Sequence, residues 1–564
     1  MHRDRFRPRS PPAWFWALAY AAALLIIAPS PDIRYADEGH YLEASLQMSL
    51  GGDWLVPLDS AGRLALEGPA PVYWPAAAAF KALGYSMLSA RLPFILGGAL
   101  TVWLIAWFGA RLADREAGRL AAMCLAASLP WMWTGLRTLP DVWLTLFMTL
   151  SAGGFLLLLN GTHRREAPWL AWLGLGLAVA TRGPVALLPL PALALVGWFW
   201  RGDVVWRDLL HRPAVMAGMG VGLLYYAAVA IRLGPSAVPP IVIDPYQAAA
   251  WGEVVDRAFV YLAYLPLALM PFTLLALGVR PVDWRWLGRD PARKTAAGYA
   301  LVLSAILVMA FSFASRSTGG RDLMPALPWL ALLLGMLLRS AIAAGRPRRW
   351  LGASTTALVG LVGLVMLFGI AAVGVATGLV TGHESLVWRV AALTLVAVAV
   401  LLAAQGGTRR ALILPALMTL ALPPALFGVA RPALPGGAQA IVAEVARADS
   451  SNPVVMAGAD SLAGTVRVLS GGRIEVRRDV NPMPGPDEFG ALVIARSHLA
   501  NNDAYADCEQ RQVAKDFRAV RPKGLVAAVR AGEGEAYLND RSLVYLMVTC
   551  PAPSGEASAP ETGS

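Results

Sequence analysis

Residues Trp14–Pro57 read WFWALAYAAALLIIAPSPDIRYADEGHYLEASLQMSLGGDWLVP, and the change of character inside this stretch decides the fold. From Trp14 to Ala28 the sequence is uninterruptedly apolar, and then Asp37, Glu38, His40 and Glu43 fall within seven positions. The first half belongs in a hydrocarbon phase. The second half is where the chain leaves it and collects ionisable groups.

The rest of the chain repeats the apolar half many times. Over 564 residues, 57% are hydrophobic and only 15% charged, which excludes an ordinary soluble protein. Runs of about 20 apolar residues match a hydrocarbon core of ~30 Å, and they begin near Trp14, Leu88, Ala117, Val142, Pro168, Pro184, Ala214, Ala258, Thr295, Leu323, Leu351, Leu386 and Leu412. They are apolar throughout rather than alternating, so they predict helices, whose backbone groups are satisfied internally, rather than barrel strands. The expectation is a polytopic α-helical membrane protein with about thirteen spans.

The net charge of +11 comes from arginines in alternate loops. Arg3, Arg5, Arg7 and Arg9 are followed by Arg111, Arg115 and Arg119; Arg201, Arg207 and Arg212; Arg280, Arg285, Arg289, Arg293 and Lys294; Arg346, Arg348 and Arg349; and Arg409 and Arg410. The positive-inside rule makes these loops and the N-terminus cytoplasmic. This pattern is a topology signal and not one for nucleic acid. An odd number of spans then places the C-terminal segment outside. The first apolar run lacks a clear small-residue cleavage site and reads as a retained span.

Three segments follow. Residues 1–430 form a membrane module whose first external loop, 31–87, is long and reads as short amphipathic pieces along the membrane interface. Residues 431–550 carry short β-like runs (PVVMAG, RIEVRR, ALVIARS, LVAAVR, LVYLMVT) and helix-compatible stretches such as AQAIVAEVARA, which predict a small periplasmic α/β domain. Residues 551–564 are Pro/Ser-rich and predicted disordered. Cys124 lies in an apolar run and reads as a small hydrophobe, whereas Cys508 and Cys550 fall outside, where a disulfide is permitted but not required.

On the external side stand Asp37, Glu38, His40 and Glu43, then Glu67, then Arg137 and Asp141 in TGLRTLPDVW, Arg182 in ATRGPVALLP, and Arg316, Arg321 and Asp322 in ASRSTGGRDLMP. Taken singly, each has a plain reading. Asp141, after Pro140, is placed to cap a helix, and Arg182 and Arg321 are placed to anchor helix ends. Several such groups converging near hydrocarbon is a different matter, because charge there is costly.

The stretch ADEGHYLEASLQMSLGGDWLVP resembles the first-loop signature of membrane glycosyltransferases of the GT-C superfamily, specifically the ArnT-like and protein O-mannosyltransferase-like group. The residues that carry the resemblance are Asp37-Glu38, Gly52-Asp53-Trp54-Leu55-Val56-Pro57 and Glu67-Gly68-Pro69, with Asp141 similar to a second external aspartate. SARLPFILGG, ATRGPVALLPL and RDLMPALPWLALLLG are similar to recurrent helix starts of the group. The resemblance implies a GT-C fold in the bacterial inner membrane and transfer of a sugar from a polyprenyl phosphate to a lipid, glycan or protein acceptor, at a hydroxyl or phosphate on the periplasmic face. It implies inverting attack with Asp37 as general base and Asp141 orienting the base or the acceptor. Arg137, Arg182 and Arg321 are the implied phosphate ligands, and Glu38, His40 and Glu67 the further substrate-binding residues. No metal ligand set is expected. Glu67 and His40 make a divalent ion conceivable, but six histidines with no helical His-x-x-x-His pair do not predict one.

Two positions depart from the group. His40 stands where an arginine is frequent, and Gly68 where a lysine is. Both remove permanent positive charge from the expected phosphate site, so either another arginine compensates or the donor binds differently. Competing readings are a lipid-linked-sugar transporter or flippase and a catalytically inactive assembly protein. Transporters place charges near the midplane and repeat their halves, whereas here the ionisable groups gather on one side.

Overall fold

A computed structural model describes residues 11–30, 38–58, 64, 68–163, 165–200, 209–239, 251–270, 272–273, 281–313, 320–343, 410–430, 437–447, 454–457, 460–477, 488–499, 505, 507–516 and 543–550. The membrane part is helical: α1 (Ala13–Ile27), α2 (Glu38–Ser49), α3 (Trp74–Leu83), α4 (Met87–Leu112), α5 (Arg115–Ala126), α6 (Leu129–Gly135), α7 (Asp141–Leu159), α8 (Ala167–Arg182), α9 (Pro189–Trp200), α10 (Arg212–Leu233), α11 (Trp251–Ala268), α12 (Pro281–Gly288), α13 (Pro291–Phe313), α14 (Leu327–Ala343) and α15 (Arg410–Ala430). Among the described residues, six helical stretches are long and apolar enough to cross a membrane: α4, α7, α8 with the 3-10 turn after it, α10, α13, and α14 with the 3-10 turn before it. The expected spans near Leu351 and Leu386 lie outside the described residues.

Small residues bring these helices together. A Cβ on Gly174 of α8 would stand 2.6 Å from Ser151 N of α7, and one on Gly154 of α7 would stand 2.8 Å from Ala167 O of α8. Gly218 and Gly222 of α10 meet Gly176 of α8 in the same manner. Lipid offers apolar side chains as good a home as another helix does, so close backbone approach and dispersion contacts hold the bundle.

The span expected from Ala117 is broken. Pro130 has no N–H to continue a helix, and Ser128 caps the new start, accepting from Trp131 N at 3.3 Å while donating to Ala268 O at 2.6 Å. The two pieces, α5 and α6, carry the chain to the turn before α7.

The first loop also departs from expectation. Ten of the twelve residues of α2 are buried, and it does not lie open along an interface. Leu42 and Leu46 share an apolar cluster with Ala76 and Phe80 of α3, with Met87 and Phe94 of α4, and with Val468 from the C-terminal part of the chain. After α2, Asp53 closes a side-chain turn by accepting from Leu55 N at 2.8 Å.

The C-terminal residues form α16 (Gly437–Arg447), β1 (Val454–Ala457), α17 (Asp460–Leu469), β2 (Ile474–Arg477), β3 (Ala491–Ala495), β4 (Glu509–Asp516) and β5 (Leu543–Thr549). The strands make one mixed sheet in the order β2-β1-β3-β5-β4, with β1 parallel to β2 and β3, and β5 antiparallel to β3 and β4. Side chains alternate along each strand. Val454 and Met456 pack with Ile441 of α16 and Val466 of α17, while Val455 and Ala457 face Tyr505 and Leu499. The edge strand β4, EQRQVAKD, is polar, as suits an edge that must resist pairing with another chain. Cys508 and Cys550 form a disulfide between the start of β4 and the end of β5, with Cα atoms 4.3 Å apart. Cys124 is buried in α5. The tail 551–564 lies outside the described residues.

Candidate active site

Three helix ends meet at one end of the bundle. Asp141 is the first residue of α7, Arg182 the last of α8, and Arg321 and Asp322 open the 3-10 turn Arg321–Ala326 that leads into α14. Arg182 Nη1 donates to Asp141 Oδ1, and Arg182 Nη2 lies 4.0 Å from Asp322 Oδ1. Arg321 Nε lies 3.9 Å from Asp141 Oδ2, and Tyr261 of α11 donates to Asp322 Oδ2 at 3.4 Å. Two carboxylates and two guanidiniums from three parts of the chain thus form one network. Its carboxylates are the inner members, at 3% and 6% side-chain exposure, and its guanidiniums the outer ones, at 18% and 17%. Fixing a guanidinium from behind by a buried carboxylate presets its planar fork for an anion in front.

Asp141 is therefore not the helix cap that its position suggests. Pro140 occupies the cap and no side chain closes it, while the Asp141 carboxylate is spent on the arginines.

A second buried assembly holds the first loop. Arg91, fully buried in α4, donates to both oxygens of Glu38 at 3.3 Å each, and also to Ala28 O at 3.0 Å and Ser30 O at 2.6 Å beyond α1. Glu38 Oε1 accepts two further bonds at 3.2 Å, from the N–H and the hydroxyl of Thr138. Thr138 precedes Asp141 by three residues, so this clamp ties the start of α2 to the turn that leads into the arginine network. Its neighbour Arg137 is buried, with its guanidinium 4.7 Å from the Trp133 ring centre.

Of the residues chosen from sequence, Asp141, Arg182 and Arg321 are brought together. Glu38, expected as a substrate-binding residue, bonds Arg91 and Thr138 in the clamp. Arg137 stacks beside the clamp, and His40 sits half-buried in α2. Asp37 and Glu67 lie outside the described residues. Sequence reading noted Asp322 without giving it a role and passed over Tyr261, Thr138 and Arg91. Only Arg91 had a usable signal, because a lone arginine within an apolar run is costly unless it is paired.

An apolar cavity of about 490 Å³ is lined by Trp74 and Pro71 from the first loop, Trp143, Thr181, Leu224 and Tyr225, of which Thr181 directly precedes Arg182 in sequence. The opposite end of the bundle carries Asp114, which caps α5 and lies 3.3 Å from Arg339. Arg111, Arg115 and Arg119 stand at that end, on the side that the charge pattern assigns to the cytoplasm.

Fold and site together define the class: a polytopic helical membrane protein with an ionic cluster where three helix ends meet. The family described as dolichyl-phosphate-mannose-protein mannosyltransferase matches residues 67–231. The chain is 28% identical over 352 residues to an undecaprenyl phosphate-alpha-4-amino-4-deoxy-L-arabinose arabinosyl transferase of Pseudomonas aeruginosa, covering 58% of this chain and 60% of that one. It is also 28% identical over 383 residues to such a transferase of Pseudomonas fluorescens, covering 62% and 61%. The chain thus spans about three-fifths of the length of these relatives. The fold matches the crystal structure of ArnT from Cupriavidus metallidurans bound to undecaprenyl phosphate, with a TM-score of 0.67 and 19% identity over 94% of this chain and 97% of that one. The ArnT-like, GT-C resemblance read from the first loop is shown by these matches.

Proposed function

We propose that this protein is a polyprenyl-phosphate-sugar-dependent glycosyltransferase of the bacterial inner membrane, acting at the periplasmic face. The observation that carries this reading is the pair of outer arginines, Arg182 and Arg321, braced by the buried carboxylates Asp141 and Asp322, in a bundle that also holds an apolar cavity lined by Thr181, the residue before Arg182. A phosphate on a lipid tail needs both halves of that arrangement. The names of the relatives, undecaprenyl phosphate arabinosyl transferases, support the same donor class.

In this mechanism the acceptor O–H attacks the anomeric carbon as the bond from that carbon to the phosphate oxygen breaks. Asp37 takes the acceptor proton, and the polyprenyl phosphate leaves with the bonding electrons and inverted stereochemistry at the sugar. A carboxylate within hydrogen-bond reach suits the base. Arg182 and Arg321, with Arg137 nearby, meet the charge that grows on the leaving oxygen, and they act best because they are already held in place. Asp141 and Asp322 hold those arginines. Glu38 fixes the chain next to Asp37, and His40 and Glu67 complete the sugar side. The compensation that His40 and Gly68 demand thus falls to Arg182 and Arg321.

The same reading divides the chain into a thirteen-span module to residue 430 with a cytoplasmic N-terminus, a periplasmic α/β unit over 431–550, and a tail from 551. The test is transfer in vitro. Purified protein in lipid nanodiscs is given bacterial polyprenyl-phosphate sugars and cell-envelope acceptors, and the products are read by mass spectrometry. Asp37→Asn abolishes transfer at unchanged membrane abundance. Transfer near the wild-type rate by that variant removes Asp37 as base, and movement of the lipid-linked sugar across vesicles without its consumption replaces transfer by transport.

A further inference from the structure

We propose that the C-terminal unit is a positioning element for the acidic helix of the first loop, acting through Arg467 on Glu43 and Gln47. This rests on the glycosyltransfer reading for its catalytic consequence, though its structural part stands alone.

Arg467 belongs to α17, between the parallel strands β1 and β2. Its Nη1 donates to Glu43 Oε1 at 3.4 Å and its Nη2 to Gln47 Oε1 at 3.0 Å, across more than 400 residues of chain. Both charges are buried, at 7% and 4% side-chain exposure. One turn further toward the start of α2, Gly464 meets Gly39 so closely that a Cβ on Gly464 would lie 2.8 Å from Gly39 Cα. Gly39, Glu43 and Gln47 are spaced by four and form one stripe on α2. That stripe faces α17.

The other sides of α2 are also taken. Tyr41, Ala44 and Met48 pack on Ala70, Val72 and Tyr73, and Glu38 is held by Arg91. The helix is therefore fixed against rotation from several directions, and the contact from the C-terminal unit is its outer one. Asp37 immediately precedes this helix, so a small rotation of α2 displaces the carboxylate that takes the proton. A unit that merely collected acceptor would not require a buried ion pair against the catalytic loop, because such a pair repays its desolvation only when its geometry is held. A register role accounts for it.

The experiment uses the full chain in nanodiscs and compares Arg467→Ala, Arg467→Lys and the milder Gln47→Ala. Amide hydrogen exchange over 38–49 rises about tenfold in Arg467→Ala, with 141–159 unchanged, and Arg467→Lys returns part of the protection. In transfer assays kcat falls about tenfold while KM for the donor stays within about twofold, since misplacement of a reacting group costs rate rather than binding. If Arg467→Ala fails to fold, Gln47→Ala gives the same pattern at smaller size. Unchanged exchange over 38–49 in Gln47→Ala and in any folded Arg467 variant overturns the proposal, as does a raised acceptor KM at constant kcat. Absence of transfer by the wild type overturns the enzyme reading and leaves the exchange result to decide the positioning role.

Discussion

The N–H and the hydroxyl of Thr138 both donate to one oxygen of Glu38, at 3.2 Å each, across 100 residues of chain. With Arg91 on the same carboxylate, this contact joins the first loop to the turn that presents Asp141. The acidic run after the first apolar helix is therefore not scattered in solvent. Part of it is a fastening.

The fastening predicts a stability effect. Arg91→Met leaves the Glu38 carboxylate buried without its cation, a loss of roughly 3–5 kcal/mol for a buried pair. Thermal unfolding in detergent shows a lower transition for this variant. The double change Arg91→Met with Glu38→Leu recovers much of the loss, because no lone charge remains. A single variant as stable as the wild type contradicts the clamp.

Asp141 and its arginines predict a rate effect. Asp141→Asn weakens the brace on Arg182 and Arg321 without removing either, and kcat for transfer drops about a hundredfold. Asp322→Asn has a smaller effect in the same direction, since its nearest approach to Arg182 is 4.0 Å. Full activity in Asp141→Asn shows that the arginines need no brace.

Arg182 predicts a binding effect that separates shape from charge. Arg182→Lys keeps the positive charge but loses the planar fork, and donor KM rises about tenfold, while Arg182→Ala loses both and binds polyprenyl phosphate more weakly still. Equal behaviour of the lysine variant and the wild type indicates that charge alone suffices there.

The C-terminal unit predicts a redox effect. The disulfide joins residues 42 positions apart, and closing a loop of that length constrains the unfolded chain by about 4 kcal/mol. Cys508→Ser with Cys550→Ser lowers the unfolding temperature of this unit, and added dithiothreitol does the same to the wild type. Cys124→Ser is neutral to reductant.

Much of the candidate site was legible as a list but not as an arrangement. Asp141, Arg182 and Arg321 stand out as charges at the ends of apolar runs on one predicted side, and they do meet. Asp322 stands beside Arg321 with no mark of its own, and nothing in TLPDVW distinguishes a carboxylate that caps its helix from one that turns to an arginine 41 residues away. The polar run EQRQVAKD gives no strand signal, because an edge strand need not alternate.

By itself the sequence determined that this chain lives in a membrane, that its spans are helical, and which fold its first loop resembles. These are properties of transfer from water to hydrocarbon, and they accumulate residue by residue along the chain. Tertiary structure alone decided that α2 is covered on its outer side, that the third expected span is broken at Ser128 and Pro130, that Cys508 pairs with Cys550, and which carboxylate holds which arginine. An ion pair or a disulfide needs two groups within a few ångströms. Positions so far apart in sequence reach that separation only after the whole bundle has packed.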